Sequence, residues 1–94
     1  MPASAEQLSQ VVQITNKRGL HARASAKFVT LAAGQSCAIE VEKEGSKVAG
    51  TSIMGLMMLG AAMGDHVTIS TAGDGAEEAL TLLVELVENK FGEE

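Results

Sequence analysis

In the stretch RGLHARASAKF, residues 18–28, a histidine and an arginine stand two positions apart, and this spacing is where the chain could do chemistry. Gly19 gives the backbone freedom to turn, and Leu20, the one apolar residue of the turn, anchors the loop to a core. His21 then falls at or just before the first turn of a helix, where backbone N–H groups lack intrahelical acceptors and favour an anion. The same dipoles disfavour an imidazolium and leave a neutral, nucleophilic ring. Arg23 can set a guanidinium beside whatever anion forms there. Together these parts could carry a phosphoryl group on nitrogen. The competing reading is a histidine that only hydrogen-bonds the backbone, and the local pattern does not decide between the two.

Other chemistry fits less well. No Ser-His-Asp or Cys-His arrangement stands out. His66 begins a strand with no Cys or His nearby, so a metal site lacks ligands and none is expected. It reads as an edge or solvent-facing residue. Cys37 reads as a small core residue at a strand start, and a lone cysteine has no internal disulfide partner.

A second stretch, SIMGLMMLG (residues 52–60), is too apolar for a short helix on a sheet. With Leu56 and Leu59 turned inward, Ile53, Met54 and Met57 form an exposed apolar patch of the kind that binds partners. The alternative is a helix buried all round. Ser52 stands where its hydroxyl can cap a free N–H, and that role alone explains it. A phosphate on Ser52 would also be tolerated at a helix start while adding charge beside the patch.

The elements that must position these residues follow from periodicity. VVQIT alternates with Val12 and Ile14 on one face, and a helix is expected from about residue 22 to 33 with Ala24, Phe28, Leu31 and Ala32 as its stripe. CAIEVEK alternates through Ile39 and Val41, and EGS turns it into a weaker strand around residues 47–49. After the short helix, HVTIST gives a strand through Val67 and Ile69. The clearest helix spans roughly residues 75–91, with Ala76, Leu80, Leu83, Val84 and Val87 on one face. Asp74 and Glu77 have capping-box spacing, and Lys90 stands where the helix dipole favours a cation. The order is βαββαβα: an open-faced α+β sandwich, its antiparallel sheet covered by helices on one side. Residues 1–9 read as a flexible arm and residues 10–94 as a single domain.

Composition narrows the classes further. Ninety-four residues, 46% of them hydrophobic, make one modest folded domain. A net charge of −5 and only two aromatic residues argue against nucleic-acid binding. No apolar run is long enough to cross a membrane, and MPASAEQLSQ lacks the features of a signal peptide, so the cytoplasm is the expected location. The chain is also expected to be a monomer.

GLHARASA resembles the active-site segment of the HPr family, the histidine-containing phosphocarriers of bacterial phosphoenolpyruvate-dependent phosphotransferase systems. TSIMGLMMLGAAMGDHVTISTAGDGAEEAL resembles the rest of that family, including its regulatory-serine segment. The resemblance implies the HPr-like fold, a four-stranded antiparallel sheet with three helices on one face. It implies that His21 accepts a phosphoryl group on Nδ1 from enzyme I and passes it to an enzyme IIA domain, with Arg23 stabilising the group in transit. It implies that Ala26, Ile53, Met54 and Met57 form the docking surface, and that Ser52 is a regulatory site for an HPr kinase/phosphorylase. A carrier of this kind is consumed and regenerated, so it is not an enzyme in the strict sense and needs no cofactor. Two departures stand out: Ala24 where many members have proline, and Thr51 where a lysine is common. Both resemble the proteobacterial branch, in which related carriers serve nitrogen-linked relays. A partner-binding regulatory module with an idle His21 and a small-ligand-binding domain are the alternatives outside this class.

Overall fold

The computed structural model describes residues 7–93. The chain runs β1 (Gln7–Gln13), α1 (Ala22–Ala33), β2 (Ala38–Lys43), β3 (Ser46–Ala49), α2 (Ile53–Met58), β4 (His66–Ala72) and α3 (Ala76–Glu88). A short 3₁₀ turn, Lys90–Gly92, follows α3. The strands form one antiparallel sheet in the order β1-β4-β2-β3. This is the βαββαβα α+β architecture expected from the sequence.

Alternation decides which face of the sheet is covered. Register sets Val12 opposite Val67 and Val41 opposite Ile69, and all four side chains are buried. Beta-branched residues suit this pleated, half-buried surface. The helices close over it with Phe28 and Ala32 from α1, Leu56 from α2, and Leu83, Val84 and Val87 from α3. The β2–β3 hairpin turns through Glu44 and Gly45, both at positive φ, as two-residue hairpins favour.

Three expectations need correction. The strand read from Val12 and Ile14 begins at Gln7, so residues 7–9, assigned above to a flexible arm, pair with residues 70–72 of β4. Residues 1–6 of that arm lie outside the described residues. Asp74 does not cap α3: Gly75, at φ 74°, takes the cap position and no side chain bonds there. Glu77 and Glu78 sit instead in the first turn, where the helix dipole favours them. Finally, α3 ends at Glu88, so Lys90 lies past the helix in the 3₁₀ turn.

Candidate functional site

The loop between β1 and α1 is fixed before it reaches His21. Asn16 is fully buried and its Nδ2 donates to the Gly19 carbonyl at 2.9 Å. Gly19 adopts φ 63°, and a Cβ there would overlap the carbonyl oxygen of Ala61, so only glycine lets the two backbones lie this close. Leu20 then donates to that same Ala61 oxygen at 2.9 Å, and its own carbonyl accepts from the buried Ser25 hydroxyl at 3.2 Å. The segment after α2 is closed in turn by Asp65, whose carboxylate accepts the Ala62 N–H at 2.9 Å. That hydrogen bond, with Lys43 at 3.6 Å, holds the Asp65 carboxyl below the usual carboxylate range against the opposing effect of burial.

His21 is the N-cap of α1. Its Nδ1 accepts the N–H of Ala24 at 3.0 Å, which assigns the proton of the neutral ring to Nε2. Nε2 stands 3.2 Å from Oε2 of Glu93, an ion-pair distance. The oxygen lies off the N–H direction and takes no hydrogen bond, although it is buried. The contact is therefore electrostatic: a bare carboxylate oxygen at the ring edge that would stabilise positive charge on the imidazole.

Glu93 reaches the ring because the chain hooks back after α3. Lys90 and Phe91 both have positive φ, the Phe91 side chain is buried, and Lys27 Nζ donates to the Phe91 carbonyl at 2.8 Å. His21 and Glu93 share a cavity of about 280 Å³ with Lys17, Arg18 and Arg23. Arg18, Ala22 and Arg23 also line a second cleft against the ring. Three cationic side chains thus surround a half-buried imidazole at the positive end of a helix, a setting for an anion bonded to a ring nitrogen.

Of the residues singled out in the sequence, His21 and Arg23 are brought together here, with Arg23 exposed. Ser52 lies elsewhere, as the N-cap of α2, with Oγ accepting the Gly55 N–H at 3.0 Å. Leu56 on that helix and Leu59 at its C-cap face the core, while Ile53, Met54 and Met57 are exposed, as expected. Met58, at 79%, is more exposed than any of them and was not part of the expected patch. Ala26 is half-buried on α1. His66 is exposed at the start of β4, and no cluster among the described residues could hold a metal ion. Glu93 was missed altogether; the signal available to sequence, a carboxylate near the chain end, has no spacing relation to His21.

A histidine at a helix start among cationic side chains, on an open-faced sandwich, fits the class of small phosphocarriers, and comparison with known proteins narrows it. The family described as "PTS-HPr: PTS HPr component phosphorylation site" matches residues 8–89. A Phosphocarrier protein HPr from Cupriavidus necator is 44% identical over 86 residues, covering 92% of this chain and 97% of that one. A Phosphocarrier protein NPr from Shewanella violacea is 38% identical, covering 92% and 94%. The crystal structure of HPr-C-His from Thermoanaerobacter tengcongensis superimposes with a TM-score of 0.89 at 49% identity, covering 93% of this chain and 98% of that one. The chain belongs to the HPr family of phosphocarrier proteins of the phosphotransferase system.

Proposed function

We propose that this phosphocarrier works through His21, accepting a phosphoryl group on Nδ1 from enzyme I in the cytoplasm and handing it to an enzyme IIA domain. The observation that carries the reading is the placement of His21 Nδ1 at the N-cap of α1, with Arg18 and Arg23 lining the clefts beside it. Phosphoryl transfer asks little covalent chemistry of a protein beyond positioning and charge stabilisation. The clamped loop supplies the first, and the helix N-terminus and Arg23 supply the second. As Nδ1 bonds to phosphorus, positive charge spreads over the ring, and Glu93 beside Nε2 balances it in the way a carboxylate supports a catalytic histidine. Each carrier is consumed when it takes up the group and regenerated only when a partner removes it, so it acts stoichiometrically and not as an enzyme.

Successive partners dock on the exposed Ile53, Met54 and Met57 together with Ala26, methionine suiting a surface that serves more than one partner. Phosphorylation of Ser52 by an HPr kinase/phosphorylase would place charge beside that patch and regulate docking. The 38% identity to NPr favours a second reading, a regulatory module of a nitrogen-type phosphorelay using the same patch. Transfer to a sugar-type rather than a nitrogen-type IIA domain separates the two.

Incubation with enzyme I and phosphoenolpyruvate tests the principal reading. An acid-labile mass gain of one phosphate, absent in His21→Ala, is the expected result. Wild-type protein that gains no phosphate would refute it.

A further inference from the structure

We propose that the backbone N–H of Ala24 is a two-position donor: it caps Nδ1 of His21 in the empty carrier and moves to a phosphoryl oxygen once Nδ1 is phosphorylated. Residue 24 thereby sets how firmly the carrier holds its phosphoryl group. This rests on the reading of His21 as the acceptor.

In the neutral ring, the lone pair available for attack is the one on Nδ1, and the Ala24 N–H engages it at 3.0 Å. The donor cannot retreat. Ala24 is fully buried, and the loop ahead of it is clamped through Asn16, Leu20 and Ser25. Nor does it have an alternative acceptor in the helix. It lies in the first turn, and the carbonyl four residues back, that of Leu20, belongs to the loop and is taken by the Ser25 hydroxyl at 3.2 Å.

Attack therefore requires Nδ1 to release that N–H. The lone pair then forms the N–P bond, while the bond from phosphorus to the donor's leaving atom breaks and that atom keeps the electron pair. The ring retains its Nε2 proton and carries the positive charge beside Glu93. With the donor fixed, the ring turns to free its lone pair and carries phosphorus beside the N–H, which bonds one of the phosphoryl oxygens. When an acceptor attacks phosphorus, the N–P pair returns to Nδ1 and the N–H caps it again.

The exchange is not neutral. A hydrogen bond to an anionic oxygen is roughly twice as strong as one to a neutral acceptor, so the amide favours the phosphorylated state by about fivefold. A residue at this position without an N–H offers neither bond, and its carrier gives up the phosphoryl group more readily.

Ala24→Pro removes the donor at a first-turn position where proline is tolerated. Because the pyrrolidine ring could disturb this buried site, a second variant replaces Ala24 by L-lactate, which changes only the amide to an ester. A synthetic 1–36 segment joined at Cys37 makes that chain accessible. Equal amounts of ¹⁵N-labelled wild type and unlabelled variant share a limited supply of potassium phosphoramidate, with a trace of enzyme I to carry phosphoryl groups back and forth between them, until their occupancies no longer change. Intact-mass measurement at neutral pH then reads the phosphoryl group on each.

The ratio of phosphorylated to free carrier is expected to be about fivefold higher for wild type than for either variant. The Ala24 amide resonance of wild type should also move on phosphorylation. Equal occupancy of wild type and the ester, or an Ala24 resonance that stays in place, would overturn the proposal while leaving His21 as acceptor. Failure of wild type to take up any phosphoryl group would overturn both.

Discussion

Two helices of this molecule begin in the same way. At α1 the Nδ1 of His21 accepts the N–H three residues on at 3.0 Å, and at α2 the Oγ of Ser52 does the same at 3.0 Å. The two caps make the same bond; their surroundings differ. His21 is ringed by Lys17, Arg18, Arg23 and Glu93, whereas Ser52 leads into the exposed Ile53, Met54 and Met57. A capping side chain gains a role from what stands beside it: charge makes one cap suited to an anion, and apolar surface makes the other suited to a partner.

Exchanging the chemistry of the caps should break this comparison most sharply. His21→Asn retains a capping oxygen, so unfolding by urea should show a change of no more than about 1 kcal/mol, yet phosphoryl uptake by mass should vanish. Ser52→Ala should do the reverse, costing about 1 kcal/mol of stability while uptake persists. Next in size is Arg23→Ala. The loss of a charge-assisted contact to the phosphoryl group should slow transfer, measured by rapid quench, about tenfold or more with the melting temperature unchanged. Ser52→Asp keeps a good cap but sets a carboxylate beside the docking face, and affinity for enzyme I by calorimetry should fall about fivefold. Glu93→Gln should have the smallest effect. A half-buried electrostatic contact of this kind contributes little more than a surface pair, so transfer should slow about threefold, with Glu93→Asp partly restoring it.

Ser52 was legible as a cap because serine is a preferred N-cap residue, and His21 was legible at a helix start because α1 declares itself by apolar spacing. The inward and outward sides of α2 were legible for the same reason, through Leu56 and Leu59. What escaped depended on backbone conformations and long-range folding back. The start of β1 at Gln7 carries a single apolar residue, Leu8, among Gln7, Ser9 and Gln10, too little to show alternation. β1 is an edge strand in which only Val12 is buried, and it is held by its backbone ladder with β4. The cap of α3 moved from Asp74 to Gly75 because Gly73 and Gly75 both take positive φ and redirect the chain. Glu93 reaches His21 only through the reversal at Lys90 and Phe91, residue types that do not announce a left-handed turn.

The hook has a practical consequence for handling the protein. Because Phe91 is buried and Glu93 rests against His21, anything appended after the last residues would leave the domain beside the imidazole and the arginines around it. The Gln7 end of β1 is the part of the sheet to compare with it. β1 starts at Gln7 and must run a full strand, about 20 Å, before the chain turns toward His21, so Gln7 stands a strand's length away from that turn.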